Sequence, residues 1–481
     1  MRRLSLFFVL GAVLVLSSCL VGPRYKRPPV DAPAAFRGQD PAQSASIADL
    51  PWWSVFQDPD LQQLIQAAVV NNRDLRVAAA RVEQARQLAA QSHSQYLPQI
   101  AYEAGLSGGK NESLGNPAST FGAQQGTIAA ILQASWEADV WGRIRRSNEY
   151  AVAVYLATEQ GRRGVLLSLV SSVAQAYFEL LELDLRLDIA HRNVESFQGS
   201  LDIFQKRLDG GAASRLETSR AQAALSMVAA NIPDLERQIA IQENEVRILL
   251  GSTPGPIARK GKLLEQVLPP EVPSGLPSNL LERRPDLLEA EQNIRAANAR
   301  VGIADADFFP RLGLTTLLGR GSSPLAALVS GQTNIWSVAA TLTGPIYQGG
   351  ALRARQREAV AVWEQARNQY EQIALGAFRD VSNALITRDK LELVRARQME
   401  AVSAYEDAVT VSLQRYNAGK SSYYEVLEAQ QELYPAQNAL AQTELNRRLA
   451  IVQLYQALGG GWKLADAQWS TPPQPAPSVK P

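Results

Sequence analysis

Nonpolar side chains recur along this sequence in alternating steps of three and four. Leu180, Leu183, Leu187, Ala190, Val194, Phe197, Leu201, Phe204 and Leu208 form one such series. It is the seam of a helix packed along its length against other helices. The glycine pair Gly210–Gly211 ends the series, and Ile232, Leu235, Ile239, Val246 and Leu249 follow on a returning arm. The pattern predicts a helical hairpin. Its outgoing arm, from Gly142 to Leu208, would be about 100 Å long at 1.5 Å per residue. The unit recurs from Gly349 to Gly459. Arg207–Leu208–Asp209–Gly210–Gly211 aligns with Arg415–Tyr416–Asn417–Ala418–Gly419, Glu217 with Glu425, and Leu250–Gly251 with Leu458–Gly459. Upstream, Asp74–Leu75 matches Asp286–Leu287, and Tyr96–Leu97–Pro98 matches Phe308–Phe309–Pro310, so one large unit is duplicated.

Between the helical stretches the period drops to two. Ile100, Tyr102, Ala104 and Leu106 point one way, and Ala101, Glu103, Gly105 and Ser107 the other, which predicts a strand with one apolar face. A Gly/Ser/Asn-rich connection from Gly108 to Gly126 leads to a second strand, Thr127–Trp136. After Pro310, Leu312, Leu314, Thr316 and Leu318 alternate with Gly313 and Thr315. A loop from Gly319 to Gln332 and a fourth strand, Asn334–Thr343, follow. The pattern assigns no faces to that fourth strand. Strands of about ten residues with an apolar outer face suit a transmembrane β-barrel. Four strands cannot close one, and eight enclose an interior filled by side chains. An open pore therefore asks for at least three chains, most simply in cyclic symmetry.

The remaining chain divides around these elements. Asp58–Pro59 is a helix start, with Asp as cap and Pro at the first helical position. That helix is expected to run through Leu61, Leu64, Ile65, Ala68 and Val69 to Tyr96, and Pro98 stops it. Pro285–Asp286 opens its twin, while Pro233 and Pro435 predict kinks in the two return arms. Residues 1–18 have a basic start and a short apolar run, the form of a secretory signal. The run ends at Leu16–Ser17–Ser18–Cys19, which resembles the bacterial lipoprotein cleavage box. On that resemblance, Cys19 carries the lipid (palmitate included), and Leu20 after it favours sorting to the outer membrane. The expected plan is a lipid-anchored tether over 19–57, a first repeat over 58–251, a Pro/Gly linker over 252–277, a second repeat over 278–461, and a disordered Pro-rich tail over 462–481.

Composition removes several classes. The chain has 48 basic and 47 acidic residues, net +1, so nothing draws it to nucleic acid. One cysteine excludes an internal disulfide and a multi-cysteine metal site, and the two histidines, His93 and His191, read as surface or packing residues. Leu106–Ser107–Gly108–Gly109–Lys110 lacks the first glycine and the hydroxyl residue of a phosphate loop. No nucleophile elbow and no His–Glu–x–x–His are present, and no catalytic constellation or cofactor site is found.

Three carboxylates stand out: Glu217, Glu425 and Glu428, on the first turns of the return helices. A helix N-terminus favours such residues by itself. A cyclic assembly would instead gather them into rings near its axis, and such rings select cations and gate pores. Glu217 fits both readings, and the ring is preferred for Glu428.

Trp52–Trp53 with Phe56 and Asp58–Pro59, Arg284–Pro285–Asp286–Leu287, Gly344–Pro345–Ile346 with Gly349, Arg415–Tyr416 with Gly419, and Ala457–Leu458–Gly459–Gly460–Gly461–Trp462 together resemble the outer-membrane efflux family. The match is to TolC-like channels, in their OprM-like lipoprotein branch. The resemblance implies an α+β membrane protein: a long α-helical coiled-coil barrel continuous with a 12-stranded transmembrane β-barrel, shared by three chains of four strands each. It also implies a homotrimer docked to a periplasmic adaptor and an inner-membrane pump of the RND type, exporting small molecules passively. Tyr416 and Gly419 match the family's tip turn, as Gly210 and Gly211 do in the first repeat. Glu425 and Glu428 match positions that carry constricting acids in some members, and Glu217 an acidic position in the first tip. Ser421 stands where familiar members have a charge, with Lys420 one place earlier, so the tip salt links are expected to be rearranged through Lys420 or Arg215. The alternatives are an outlet for protein secretion and, from another class, a lipid-anchored coiled-coil adaptor. The adaptor reading leaves the strands and the duplication unused.

Overall fold

The computed structural model describes residues 20–37, 46–107, 127–267, 275, 277–322 and 334–470. The signal segment, Cys19, the connection 108–126 and residues 471–481 lie outside them. The chain divides into two compact units. The first comprises Met1–Pro29, Arg81–Glu159 and Glu289–Glu371, and the second Val30–Ala80, Gln160–Leu288 and Gln372–Pro481.

The helices are α1 (Trp52–Val55), α2 (Pro59–Asn71), α3 (Arg73–Ser94), α4 (Arg143–Asp209), α5 (Arg215–Ala229), α6 (Asn231–Leu249), α7 (Leu280–Arg283), α8 (Pro285–Ala306), α9 (Ala351–Asn417), α10 (Tyr423–Ala457) and α11 (Asp466–Ser470). The strands are β1 (Gln99–Ser107), β2 (Thr127–Ala138), β3 (Arg311–Ser322) and β4 (Asn334–Thr343). Both outgoing arms, α4 and α9, are 67 residues long.

The four strands form one antiparallel sheet in the order β1-β2-β3-β4, within the first unit. Directly paired residues share a face, so the register sorts the side chains. Tyr102 pairs with Leu132, Leu132 with Leu318, and Leu318 with Trp336. Ile100, Leu314, Val338 and Leu342 lie on that same face, and all are exposed. The opposite face carries Ala101, Glu103, Gln133, Ser135, Thr315, Ser337 and Thr341. β3 runs on to Ser322, because Gly319–Ser322 pair with Ile128–Ile131; the loop expected from Gly319 starts later.

The base of the sheet carries aromatic side chains. Trp141 stacks on Phe309 at 4.7 Å and donates from Nε1 to Pro310 O at 2.8 Å, and Trp136 Nε1 donates to Tyr96 O at 3.0 Å. Residues 20–27, expected as part of an extended tether, are held against this unit. Arg146 donates to Val21 O and Gly22 O, both at 3.2 Å, Asn298 to Pro23 O at 3.0 Å, and Tyr25 Oη to Glu291 at 3.2 Å. The fit depends on two glycines. A Cβ on Gly22, at φ +94°, would come within 2.5 Å of Gly302 Cα, and one on Gly302 would meet Arg146 Nε at 2.7 Å. Gly302→Val should therefore displace Arg146 and loosen the segment, at about 1–3 kcal/mol for overpacking. Trypsin should then cut at Arg24 or Lys26 roughly tenfold faster, with the rest of the chain resistant. Unchanged cleavage would show that the clasp does not hold the segment.

In the second unit the predicted seam is in place. Leu180, Leu183, Ala190, Phe197 and Phe204 are buried. Leu183 and Ala190 pack with Leu235 of α6, flanked by Leu187, Ile232 and Ile239. The arm expected as one helix from Asp58 to Tyr96 is two, α2 and α3. Asn72 leaves helical geometry (ψ 135°), accepts from Leu75 N at 3.0 Å and donates to Leu249 O at 2.9 Å. The first return arm breaks at Ala230, which leaves Pro233 in the first turn of α6, where a missing N–H costs no helical bond. α10 continues through Pro435 as one helix. The tail expected to be patternless from Trp462 is folded as far as Ser470. Trp469 is 6% exposed and its carbonyl accepts from Trp52 Nε1 at 3.3 Å, while Trp462 Nε1 donates to Asp49 at 3.1 Å. Burial of the Trp469 ring holds this stretch, and the prolines of the tail all lie beyond Ser470.

Candidate functional site

The two hairpin tips lie together in the second unit. Each outgoing helix ends in the same way. Gly211 N–H donates to Leu208 O at 2.9 Å and Ala212 N–H to Arg207 O at 2.7 Å; Gly419 N–H donates to Tyr416 O at 3.0 Å and Lys420 N–H to Arg415 O at 2.8 Å. This pairing closes the last carbonyls of a helix around one left-handed residue. Gly211 (φ +73°) and Gly419 (φ +71°) are those residues, and glycine adopts that conformation without strain. Gly210, one place earlier, keeps an ordinary φ and donates to Lys206 O at 3.1 Å.

A small apolar core ties the tips together: Phe204 of α4, Ala221 of α5, Tyr416 of α9 and Val426 of α10. Phe204 meets Tyr416 edge-on at 5.0 Å and Tyr423 at 6.2 Å. Around it runs a polar latch. Arg207 Nη2 donates to Tyr416 O at 2.8 Å and to Asn417 O at 3.1 Å, and its guanidinium lies 4.1 Å from the centre of the Tyr416 ring. Tyr416 Oη donates to Glu217 Oε2 at 3.4 Å. Burial, more than the neighbouring charges, pushes the Tyr416 phenol up, so it stays a neutral donor at physiological pH. Glu217 Oε1 also accepts from Ser214 N at 3.3 Å, capping its own helix. Arg220 Nη1 donates to Tyr423 Oη at 3.1 Å.

The singled-out residues thus fall into two groups. Glu217 and Tyr416 belong to the latch. Glu425 lies 4.0 Å from Arg415 in an exposed ion pair, a contact of small energy. Glu428 is exposed, with no side-chain partner among the described residues. Lys420 and Arg215 are exposed and pair with no carboxylate among the described residues; Arg415 makes the link instead. Arg207 and Arg415 appear in the repeat alignment, but their spacing gave no sign of which backbone or carboxylate each would reach. Among the described residues no group of His, Cys, Asp and Glu is arranged to hold a metal.

A sheet with an exposed apolar face and two open edges, joined in one chain to 67-residue helices, defines a membrane channel subunit with a helical extension. Comparison with known proteins agrees. The model of the family described as outer membrane efflux protein matches residues 64–252 and 276–460. The chain is 33% identical to the probable efflux pump outer membrane protein TtgC of Pseudomonas putida, over 95% of this chain and 96% of that protein. It is likewise 33% identical to the cation efflux system protein CusC of Escherichia coli, over 94% and 97%. The solved structure of the outer-membrane channel OprN superposes with a TM-score of 0.85 at 32% identity, covering 93% of this chain and all of that one. The chain belongs to the outer membrane efflux protein family. It resides in the outer membrane and serves as the exit duct of an efflux system, and its α+β architecture of long helices and barrel strands is the one that the strand pattern and the family resemblance implied.

Proposed function

We propose that three copies close a twelve-stranded barrel and a helical tunnel, through which small molecules leave passively, and that the hairpin tips are the gate. The observation that carries this reading is the four-stranded sheet, with its apolar face exposed and with β1 and β4 open at its edges. Open edges and an exposed apolar face are untenable in water and call for further strands and lipid. Three copies are the fewest that leave a lumen. In such a trimer the latch on each chain holds the tip closed, and Glu425 and Glu428, exposed beside it, ring the aperture and favour cations. A periplasmic adaptor and an RND-type pump engage the tip, supply the energy and choose the cargo, while the duct catalyses nothing. Cys19 carries the lipid anchor. Val21, two residues further on, donates to Trp141 O at 3.2 Å, and the aromatic rings around Trp141 are of the kind that favours the membrane interface, which supports an anchor at this end of the chain.

Single-channel recording of the purified protein in planar bilayers, together with its mass in detergent, tests this reading. A trimer with small, cation-preferring conductance is expected, and Glu428→Gln should reduce the cation preference roughly two- to threefold by removing one charge per subunit. A non-conducting monomer would overturn the duct trimer. An unchanged preference in Glu428→Gln would remove Glu428 from the ring.

A further inference from the structure

A cluster of arginines lies on the second unit, away from the tips. Arg395 of α9 and Arg447 and Arg448 of α10 converge on one buried carboxylate, Glu444. Arg395 Nε contacts Glu444 Oε1, and Arg447 Nη1 and Arg448 Nη1 reach Oε2 at 2.8 Å and 2.7 Å. Among the described residues one other carboxylate joins them, Glu392, which is half-exposed and 2.5 Å from Arg447 Nη2. Three guanidiniums therefore share two carboxylates. The Arg448 side chain is 3% exposed, and its Nε is buried with no hydrogen-bond partner. A buried charged donor without a partner is costly, and native sites normally supply one. These side chains line a recess of about 380 Å³, walled on its other sides by Leu264, Gln266 and Met399.

We infer that this recess binds a small oxyanion of the phosphate class, held by the surplus guanidinium charge of Arg395, Arg447 and Arg448. A guanidinium fork matches an oxyanion in geometry as well as charge, and the volume holds such an ion with a few waters. The electrostatics agree. Burial works to raise the Glu444 carboxyl, yet the arginines, led by Arg395, hold it below the usual carboxylate range, so it stays ionised. Burial, joined by repulsion from Arg447 and Arg395, pulls Arg448 below its ordinary value, the state a bound anion relieves. A recess of this size suits a freely diffusing ion, and an anion arriving on an acidic protein segment is an outcome the test separates.

The test uses the purified full-length protein in detergent, titrated with inorganic phosphate and followed by thermal unfolding and by equilibrium dialysis with labelled phosphate. Saturable binding and a rise in unfolding temperature are expected, neither reproduced by chloride at matched ionic strength. Arg395→Gln, at a partly exposed position, should weaken phosphate binding roughly tenfold or more. Met399→Glu places a carboxylate at the recess and should abolish the phosphate response without lowering stability, so misfolding cannot mimic the result. Phosphate acting no differently from chloride would overturn the inference and leave the cluster to an acidic protein segment. A full phosphate response in Met399→Glu would place any binding elsewhere and overturn it equally.

Discussion

Arg207→Ala should raise single-channel conductance in planar bilayers roughly tenfold or more. Arg207 is half-buried, and it bonds the backbone at the end of the other outgoing helix, through Tyr416 O and Asn417 O, while covering the Tyr416 ring. Hydrogen bonds from a charged donor contribute about 1.5–3 kcal/mol, and an exposed cation–π contact about 0.5–1 kcal/mol. Discounting for solvent, a loss of about 2 kcal/mol per chain shifts a closed–open equilibrium by a factor of about 30. Arg207→Lys keeps the charge but not the fork, and should fall between the two. Tyr416→Phe removes only the 3.4 Å bond to Glu217 and should change conductance less than threefold. The ranking separates a latch from a general loosening of the tip, since the buried aromatic core of Phe204 and Tyr416 survives in all three variants. Equal conductance in Arg207→Ala and the parent would place the closure elsewhere.

The long-range design of this chain was legible because its periods are long and regular. Nine seam positions from Leu180 to Leu208 repeat without a break, and the prolines at 98 and 310 mark the starts of β1 and β3. What escaped were features set by single side chains or by pairing. The helical spacing of Ala68, Val69 and Leu75 runs straight across Asn72, so only its bond to Leu249 O, from far along the chain, reveals the break. The helix that buries Trp469 is five residues long, too short to show a period. The faces of β4 were unreadable because Ile335, Val338, Ala339, Ala340 and Leu342 fall on both parities, and only the ladder to β3 sorts them. At the tips the glycines were visible as chain reversals. Arg207 was not visible as a latch, because a guanidinium on a long flexible stem can reach several partners and sequence does not say which.

The register of that sheet yields the sharpest contrast between neighbouring positions. Leu317 and Leu318 are adjacent leucines near the middle of β3, alike in type and strand. Leu318 pairs with Leu132 and Trp336 on the exposed apolar face, whereas Leu317 pairs with Gln133 and Ser337 on the polar one. If the apolar face meets lipid, arginine at 318 costs about 2–4 kcal/mol near the bilayer centre, and three copies raise that to about 6–12 kcal/mol per barrel. Leu318→Arg should therefore be nearly absent from the outer-membrane fraction. Leu317→Arg should be present at close to parental levels, its guanidinium in a water-filled lumen, and should lower the cation preference of the open channel. The measurement is a comparison of heat-resistant trimer in outer-membrane fractions, followed by reversal potentials in a salt gradient. Equal loss of both variants would mean that the polar face is packed instead of wet; equal survival would mean that the apolar face does not touch lipid. Either would remove the barrel from the argument, because one residue of offset in a pleated strand is all that separates the two sides.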